Sequence, residues 1–219
     1  MGPSGSGKTT LLNIIATILR PSAGGVTFNS IEPYLLSKEK LQLFRWQSIG
    51  YLHQEVQKNF IPFWTLRQNL DALISNNPRT FVKSNFQSFL ERVGLDERYL
   101  DIDLHLLSGG EQQRIGLLLL LYRDPEILIL DEPTSFLDVK NKKRVLNLIN
   151  NKKIEGKTII LASHDPTFID YVEDVFYLND GKIVESSVLS RISEMAHSEL
   201  TIMGKKSSKN WYLGSLRKW

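Results

Sequence analysis

The first residues able to do chemistry are Gly2-Pro3-Ser4-Gly5-Ser6-Gly7-Lys8-Thr9-Thr10, where Gly2, Gly7, Lys8 and Thr9 meet the spacing Gly-x-x-x-x-Gly-Lys-Ser/Thr. Glycines let successive backbone N–H groups curl inward around an anion, so the segment predicts a polyphosphate cradle. Lys8 is spaced to reach the terminal phosphates, and the Thr9 hydroxyl to ligate Mg²⁺. Apolar residues Leu11, Leu12, Ile14, Ile15, Ile18 and Leu19 recur at helical spacing behind the loop. That helix would aim the positive end of its dipole at the phosphates. A Gly/Ser-rich turn before an ordinary helix has the same look, so the loop needs support from elsewhere.

Two further strings supply it. Ile127-Leu128-Ile129-Leu130 is the most apolar strand signal in the chain and ends in Asp131-Glu132-Pro133. In a doubly wound sheet, ligands bind at the carboxyl ends of strands. Asp131 is placed to hold Mg²⁺ opposite Thr9, and Glu132 to polarise an attacking water; a capped turn is the plainer alternative. Leu107-Ser108-Gly109-Gly110-Glu111-Gln112-Gln113-Arg114 reads as a second anion site, with Ser108 capping a helix behind two glycines. Two phosphate-binding loops in one chain suggest a nucleotide shared between two subunits, one loop from each.

Around these strings the pattern alternates. Val26–Phe28 and Ile49–Gln54 read as strands, with a polar helix near Ser37–Trp46 between them. Helical periodicity runs from Leu66 to Val93 with a break at Asn76-Asn77-Pro78, and again from Gly109 to Tyr122. A helix at Val139–Ile149 precedes the apolar strand Thr158–Ala162, which ends at Ser163-His164-Asp165-Pro166. A hairpin at Val175–Val184 turns on Asp180-Gly181. Continuous apolar runs alternating with helices predict a mostly parallel sheet covered on both faces. The residues after Ser186 read as a short helix at best, then flexible basic chain.

The 219 residues are 42% hydrophobic with net charge +3 and a pI near 9.0, which fits one domain or a domain with a sub-domain. So mild a charge gives no reason to expect nucleic acid. The chain has no cysteine, which excludes disulfides and thiolate metal sites and suits a reducing cytosol. The leucine run Leu117–Leu121 is too short to span a bilayer and reads as a buried helix face.

In their order, these segments resemble the nucleotide-binding subunit of an ATP-binding cassette (ABC) transporter. Gly2–Thr9 is similar to that family's Walker A loop, Gln54 to its Q-loop and Leu107–Arg114 to its signature. Ile127–Glu132 is similar to Walker B, Ser135–Asp138 to the D-loop and His164 to the switch histidine. The resemblance implies an ATPase with ATP and Mg²⁺ as cofactors. The residues from Gly2 to Thr10 would bind phosphate, while Thr9, Gln54 and Asp131 approach the metal. Glu132 would be the base, and His164 would hold the γ-phosphate and water. Ser108, Gly109 and Gly110 would close on the opposite subunit's nucleotide, with Asp138 bridging the dimer. The implied partners are a second ATP-binding subunit and a membrane permease, at the cytoplasmic face of the membrane.

The expected fold is an α/β P-loop core in two parts, 1–63 and 125–186, with a helical signature sub-domain at 64–124 and a basic tail at 187–219. Segment 37–54, with Arg45 before Ile49-Gly50-Tyr51, is similar to ATPases of lipoprotein-release, macrolide and antimicrobial-peptide exporters. Leu119 and Phe136 depart from the family pattern. The family's strand before the phosphate loop is missing, so a neighbouring strand is expected to lack a partner. Each unmet backbone group would cost about 1–3 kcal/mol. The expectation that follows is a truncated or poorly active copy. A less favoured alternative is a non-transport cassette ATPase acting on DNA or ribosomes.

Overall fold

The computed structural model describes residues 5–76, 86–184 and, as backbone, 199–203. The helices are α1 (Lys8–Ile15), α2 (Lys38–Ser48), α3 (Leu66–Asn76), α4 (Phe86–Arg92), α5 (Gly109–Tyr122) and α6 (Val139–Ile154). The strands are β1 (Ile49–Leu52), β2 (Ile127–Asp131), β3 (Thr158–Ser163), β4 (Asp174–Asn179), β5 (Lys182–Val184) and β6 (Glu199–Met203). They form one sheet in the order β1-β2-β3-β6-β4-β5.

Strand β2 is buried along its whole length, as its unbroken apolar run predicts. Its side chains alternate between two cores. Leu128 and Leu130 face a large cluster with α5, α6 and the α3–α4 region, while Ile127 and Ile129 face a smaller one with Leu12 and Ile15 of α1. The result is a three-layer α/β domain with α1 on one face of the sheet and α5 on the other. The parallel registers Leu52↔Leu130 and Leu130↔Leu161 bring the carboxyl ends of β1, β2 and β3 side by side.

Helix α5 is buried from Gln112 to Tyr122, so the leucine run is a helix face as read from sequence. Leu119 packs inside that core at 4% exposed. Two expectations are corrected. Val26–Phe28 is no strand: Phe28 pairs only with Ile31, across a turn in which Asn29 and Ser30 take positive φ of 46° and 70°. The other concerns the tail. Glu199–Met203 forms β6 and lies antiparallel between β3 and β4, so β3 is paired on both sides. Thr and Ile in this short segment suit a strand, but the serines and charges around it hide the signal.

Candidate active site

Chain direction and sheet register assemble the site at the carboxyl ends of β2 and β3. Gly2, Pro3 and Ser4 lie outside the described residues; the rest of the predicted loop runs directly into α1. Gly7 is the N-cap at φ 96°, a conformation glycine takes without a Cβ clash. No side chain caps the helix and no acid lies in its first turn, so its leading N–H groups are left for an anion. The Ser6 carbonyl accepts from Gly181 N–H at 3.0 Å, which ties the loop to the β4–β5 turn. Ser6 Oγ is buried without a hydrogen-bond partner among the described residues.

Under this helix end, the Thr9 hydroxyl donates to Asp131 Oδ2 at 2.8 Å. Burial pushes the Asp131 carboxyl up, with Glu132 adding to the rise; the Thr9 hydrogen bond and Lys8 oppose it. Burial likewise pushes the Lys8 ammonium down, against the pull of Glu132 and Asp131. No cluster of three or more His, Cys, Asp or Glu able to hold a metal occurs among the described residues. A hydroxyl and one carboxylate, with phosphate oxygens to complete the shell, match the preference of Mg²⁺ for hard oxygen donors.

Glu132 follows Asp131 in the left-handed region, at φ 49°, a strained conformation for a glutamate. Its N–H donates to the Ala162 carbonyl at 2.9 Å. Its own carbonyl accepts from Ser135 Oγ at 3.1 Å and from the fully buried Gln113 Nε2 at 3.4 Å. This bend turns the side chain toward His164, whose Nδ1 lies 2.9 Å from Glu132 Oε2. The Glu132 side chain is only 9% exposed, while that of His164 is 57% exposed. His164 is anchored through its neighbour: Asp165 pairs with Lys142 of α6 and caps the next turn through Thr167. Burial alone would raise the Asp165 carboxyl, but Lys142 and Thr167 hold it below the ordinary range.

Gln54 is exposed, two residues past the Leu52↔Leu130 pair, on the side of the sheet ends where Glu132 stands. The following loop is bracketed by Asn59, whose side chain accepts from His53 N at 2.7 Å and donates to the His53 and Val56 carbonyls. A Cβ on Gly116 of α5 would stand 3.0 Å from Asn59 Cβ, so the bracket is seated on the signature helix. Beside it lies a groove of about 390 Å³ lined by Trp46, Tyr51, Asn59, Ile61, Gly116 and Arg123 among others. The Arg123 guanidinium lies over the Trp46 ring at 4.7 Å and donates to the Trp46 and Ile49 carbonyls. Arg45 instead grips the end of α1, donating to Thr17 Oγ1 and O.

The second predicted loop sits at the start of α5. Ser108 caps the helix in a reciprocal box: Glu111 N donates to Ser108 Oγ at 3.4 Å, and Ser108 N donates to Glu111 Oε2 at 2.9 Å. Ser108 Oγ also donates to Glu111 Oε2 at 2.7 Å, and Tyr99 Oη donates to Glu111 Oε1 at 2.7 Å. The Ser108 hydrogen bond, with that of Tyr99, holds the Glu111 carboxyl below its ordinary range against burial. Phe136 rests its ring against Gly109 while staying 54% exposed, and a Cβ on Gly110 would stand 2.8 Å from the Phe136 carbonyl oxygen. Asp138, two residues on, caps α6 with both carboxylate oxygens on Asn141.

Thus Lys8, Thr9, Asp131, Glu132 and His164 converge, whereas Ser108, Gly109, Gly110 and Asp138 belong to the α5–α6 end. Sequence reasoning missed Gln113, Asn59, Arg123 and the Lys142–Asp165 pair. Single polar residues at these positions carry no periodic signal.

Known proteins agree with this geometry. The model of the ABC transporter family matches residues 1–135. MJ1508, an uncharacterized ABC transporter ATP-binding protein of Methanocaldococcus jannaschii, is 34% identical over 187 residues, covering 84% of this chain and 82% of that protein. The macrolide export ATP-binding/permease protein MacB of Bdellovibrio bacteriovorus is 32% identical over 209 residues, 95% of this chain but 31% of that protein. A solved dimeric structure of the ATP-binding cassette MJ0796, in a post-hydrolysis state bound to ADP and Pi, superposes with a TM-score of 0.76 at 31% identity. It covers 84% of this chain and 82% of the other. With the phosphate loop, the carboxylate strand and the capped signature helix all in place, this chain belongs to the ABC transporter family as an ATP-binding domain with the P-loop ATPase fold.

Proposed function

We propose that this domain hydrolyses ATP as one half of a two-subunit engine and passes the resulting motion to a membrane permease. The reading is carried by one observation: the nearly buried Glu132 carboxylate and the accessible His164 imidazole meet at 2.9 Å, next to Lys8 and the Thr9–Asp131 pair. The loop amides at the start of α1 and Lys8 bind the phosphates. Thr9, Asp131 and Gln54 hold Mg²⁺, which when bound neutralises charge on the phosphate oxygens.

Glu132 accepts a proton from the attacking water, and its low exposure keeps competing solvent away from that oxygen. His164 donates to the terminal phosphate and orients Glu132. Ser108, Gly109 and Gly110 of a second copy complete the site from across the interface. Asp138 holds the turn, with Phe136, at that interface. A dimer of this kind is what the solved MJ0796 cassette forms. The groove beside Gln54 and Asn59 suits the permease, because its floor is the same α5 that presents Ser108. None of the helices among the described residues is long and apolar enough to cross a membrane. Contact with the cytoplasmic face would therefore come through the permease.

Glu132→Gln tests the reading. It is expected to accumulate an ATP-bound dimer with hydrolysis nearly abolished, scored by light scattering and phosphate release. Turnover equal to the parent chain would remove Glu132 from its role.

A further inference from the structure

The start of α5 already holds an anion of its own. A serine hydroxyl has one proton to donate, and Ser108 gives it to Glu111 Oε2 at 2.7 Å, with the Ser108 N–H on the same oxygen at 2.9 Å. The other carboxylate oxygen is taken by Tyr99 Oη at 2.7 Å, from the short turn Glu97–Asp101. The helix end expected to meet a partner's terminal phosphate is therefore occupied by a carboxylate, and its hydroxyl points its proton away from any incoming oxygen.

Resting on the dimer reading above, we propose that Glu111 and Tyr99 form a latch that sets the ATP concentration at which two chains close. Phosphate can take the Ser108 proton only when Glu111 releases it. Two anions at one helix end also repel. Tyr99 holds the carboxylate from its far side and so gives it a place to go when Ser108 turns to the phosphate. Both act as positioning residues: neither touches the nucleotide, and both act through Ser108.

The latch gives opposite signs for two mild substitutions. Glu111→Gln keeps a side chain suited to the capping box but removes the charge and weakens the hold on Ser108. Tyr99→Phe removes the outer hydrogen bond and leaves the carboxylate to Ser108 alone. The full-length Glu132→Gln chain, with each change added, would be titrated with Mg-ATP while dimer is followed by light scattering.

Glu111→Gln is expected to lower the midpoint ATP concentration at least threefold, and Tyr99→Phe to raise it about twofold. In the double variant the Tyr99 effect should vanish, because its hydrogen-bonding target is gone. A purely structural role would not give opposite shifts or this cancellation. Thermal melting of each variant within a few degrees of the parent keeps the comparison sound, and a Glu111→Gln chain that melts early with a raised midpoint overturns the latch. So does a Glu111→Gln midpoint equal to that of the parent. If the parent itself forms no ATP-dependent dimer at any concentration, the dimer reading fails first and takes the latch with it.

Discussion

Helix α1 starts at Gly7 with no side chain over its amides and no acid in its first turn, whereas α5 starts beneath Ser108 with Glu111 closing the box. Both follow glycine-bearing loops and both look from sequence like anion sites. The first is open, and its neighbours carry the electrostatic cost: burial raises Asp131 and lowers Lys8. The second is closed on itself and stable before any ligand arrives. An end that must hold its nucleotide within one chain is built as a vacancy lined with strained charges. An end that must wait for a partner is built as a cap that can be exchanged.

Substitutions at the two ends should therefore move stability in opposite directions while both reduce turnover. The largest effect is expected for Asp131→Asn. It should cut Mg-dependent hydrolysis roughly 100-fold, as loss of a key charge at a reacting phosphate does. It should also raise the melting temperature of the ligand-free chain by about 2–4 °C, because a carboxylate that burial disfavours is gone while Asn still accepts from Thr9. Activity assays and calorimetry on one sample check both halves, and a fall in melting temperature would break the contrast.

Ser108→Ala comes next. Hydrogen bonds to charged groups contribute about 1.5–3 kcal/mol, so turnover should drop roughly tenfold. ATP binding to the single chain should stay within twofold. Loss of the cap should lower stability by about 1 kcal/mol, visible in a denaturant titration.

The smallest effect concerns the strap that carries His164. The Asp165 carboxyl is held below its unfolded value by Lys142 and Thr167. Its contribution is thus complete above the ordinary aspartate range of about 4 and is lost as pH falls through the depressed folded value. Native chain and Asp165→Asn should differ in stability by a constant amount between pH 6 and 8. They should converge only as acid protonates Asp165, and convergence already near neutral pH would contradict the pairing.

Much of this molecule is legible in its sequence where periodicity and capping coincide. The ends of α5 follow from Ser108, the Glu111 box and Asp124-Pro125, and β2 and β3 from their apolar runs. Legibility fails where side chains act alone or out of register. Helix α6 runs on to Ile154 beyond its expected end at Ile149, because residues 150–153 are polar and offer no periodic cue. Strand β6 is five residues long and sits among serines and charges. Gln113 reads as one more polar residue on a helix, yet burial turns it toward the Glu132 carbonyl. Arg45 stands out in the sequence beside Ile49-Gly50-Tyr51, but its hydrogen bonds to Thr17 make it a clamp on the far end of α1.

The left-handed backbone of Glu132 has a bearing on the history of the gene. At that φ a glutamate is about 1–2 kcal/mol worse than glycine. Drift without a demand for hydrolysis would therefore favour glycine or asparagine at 132 before it disturbed most of the core. A copy of this gene released from use should show the change at that codon early, and a glutamate retained there marks a lineage in which hydrolysis still has a consequence.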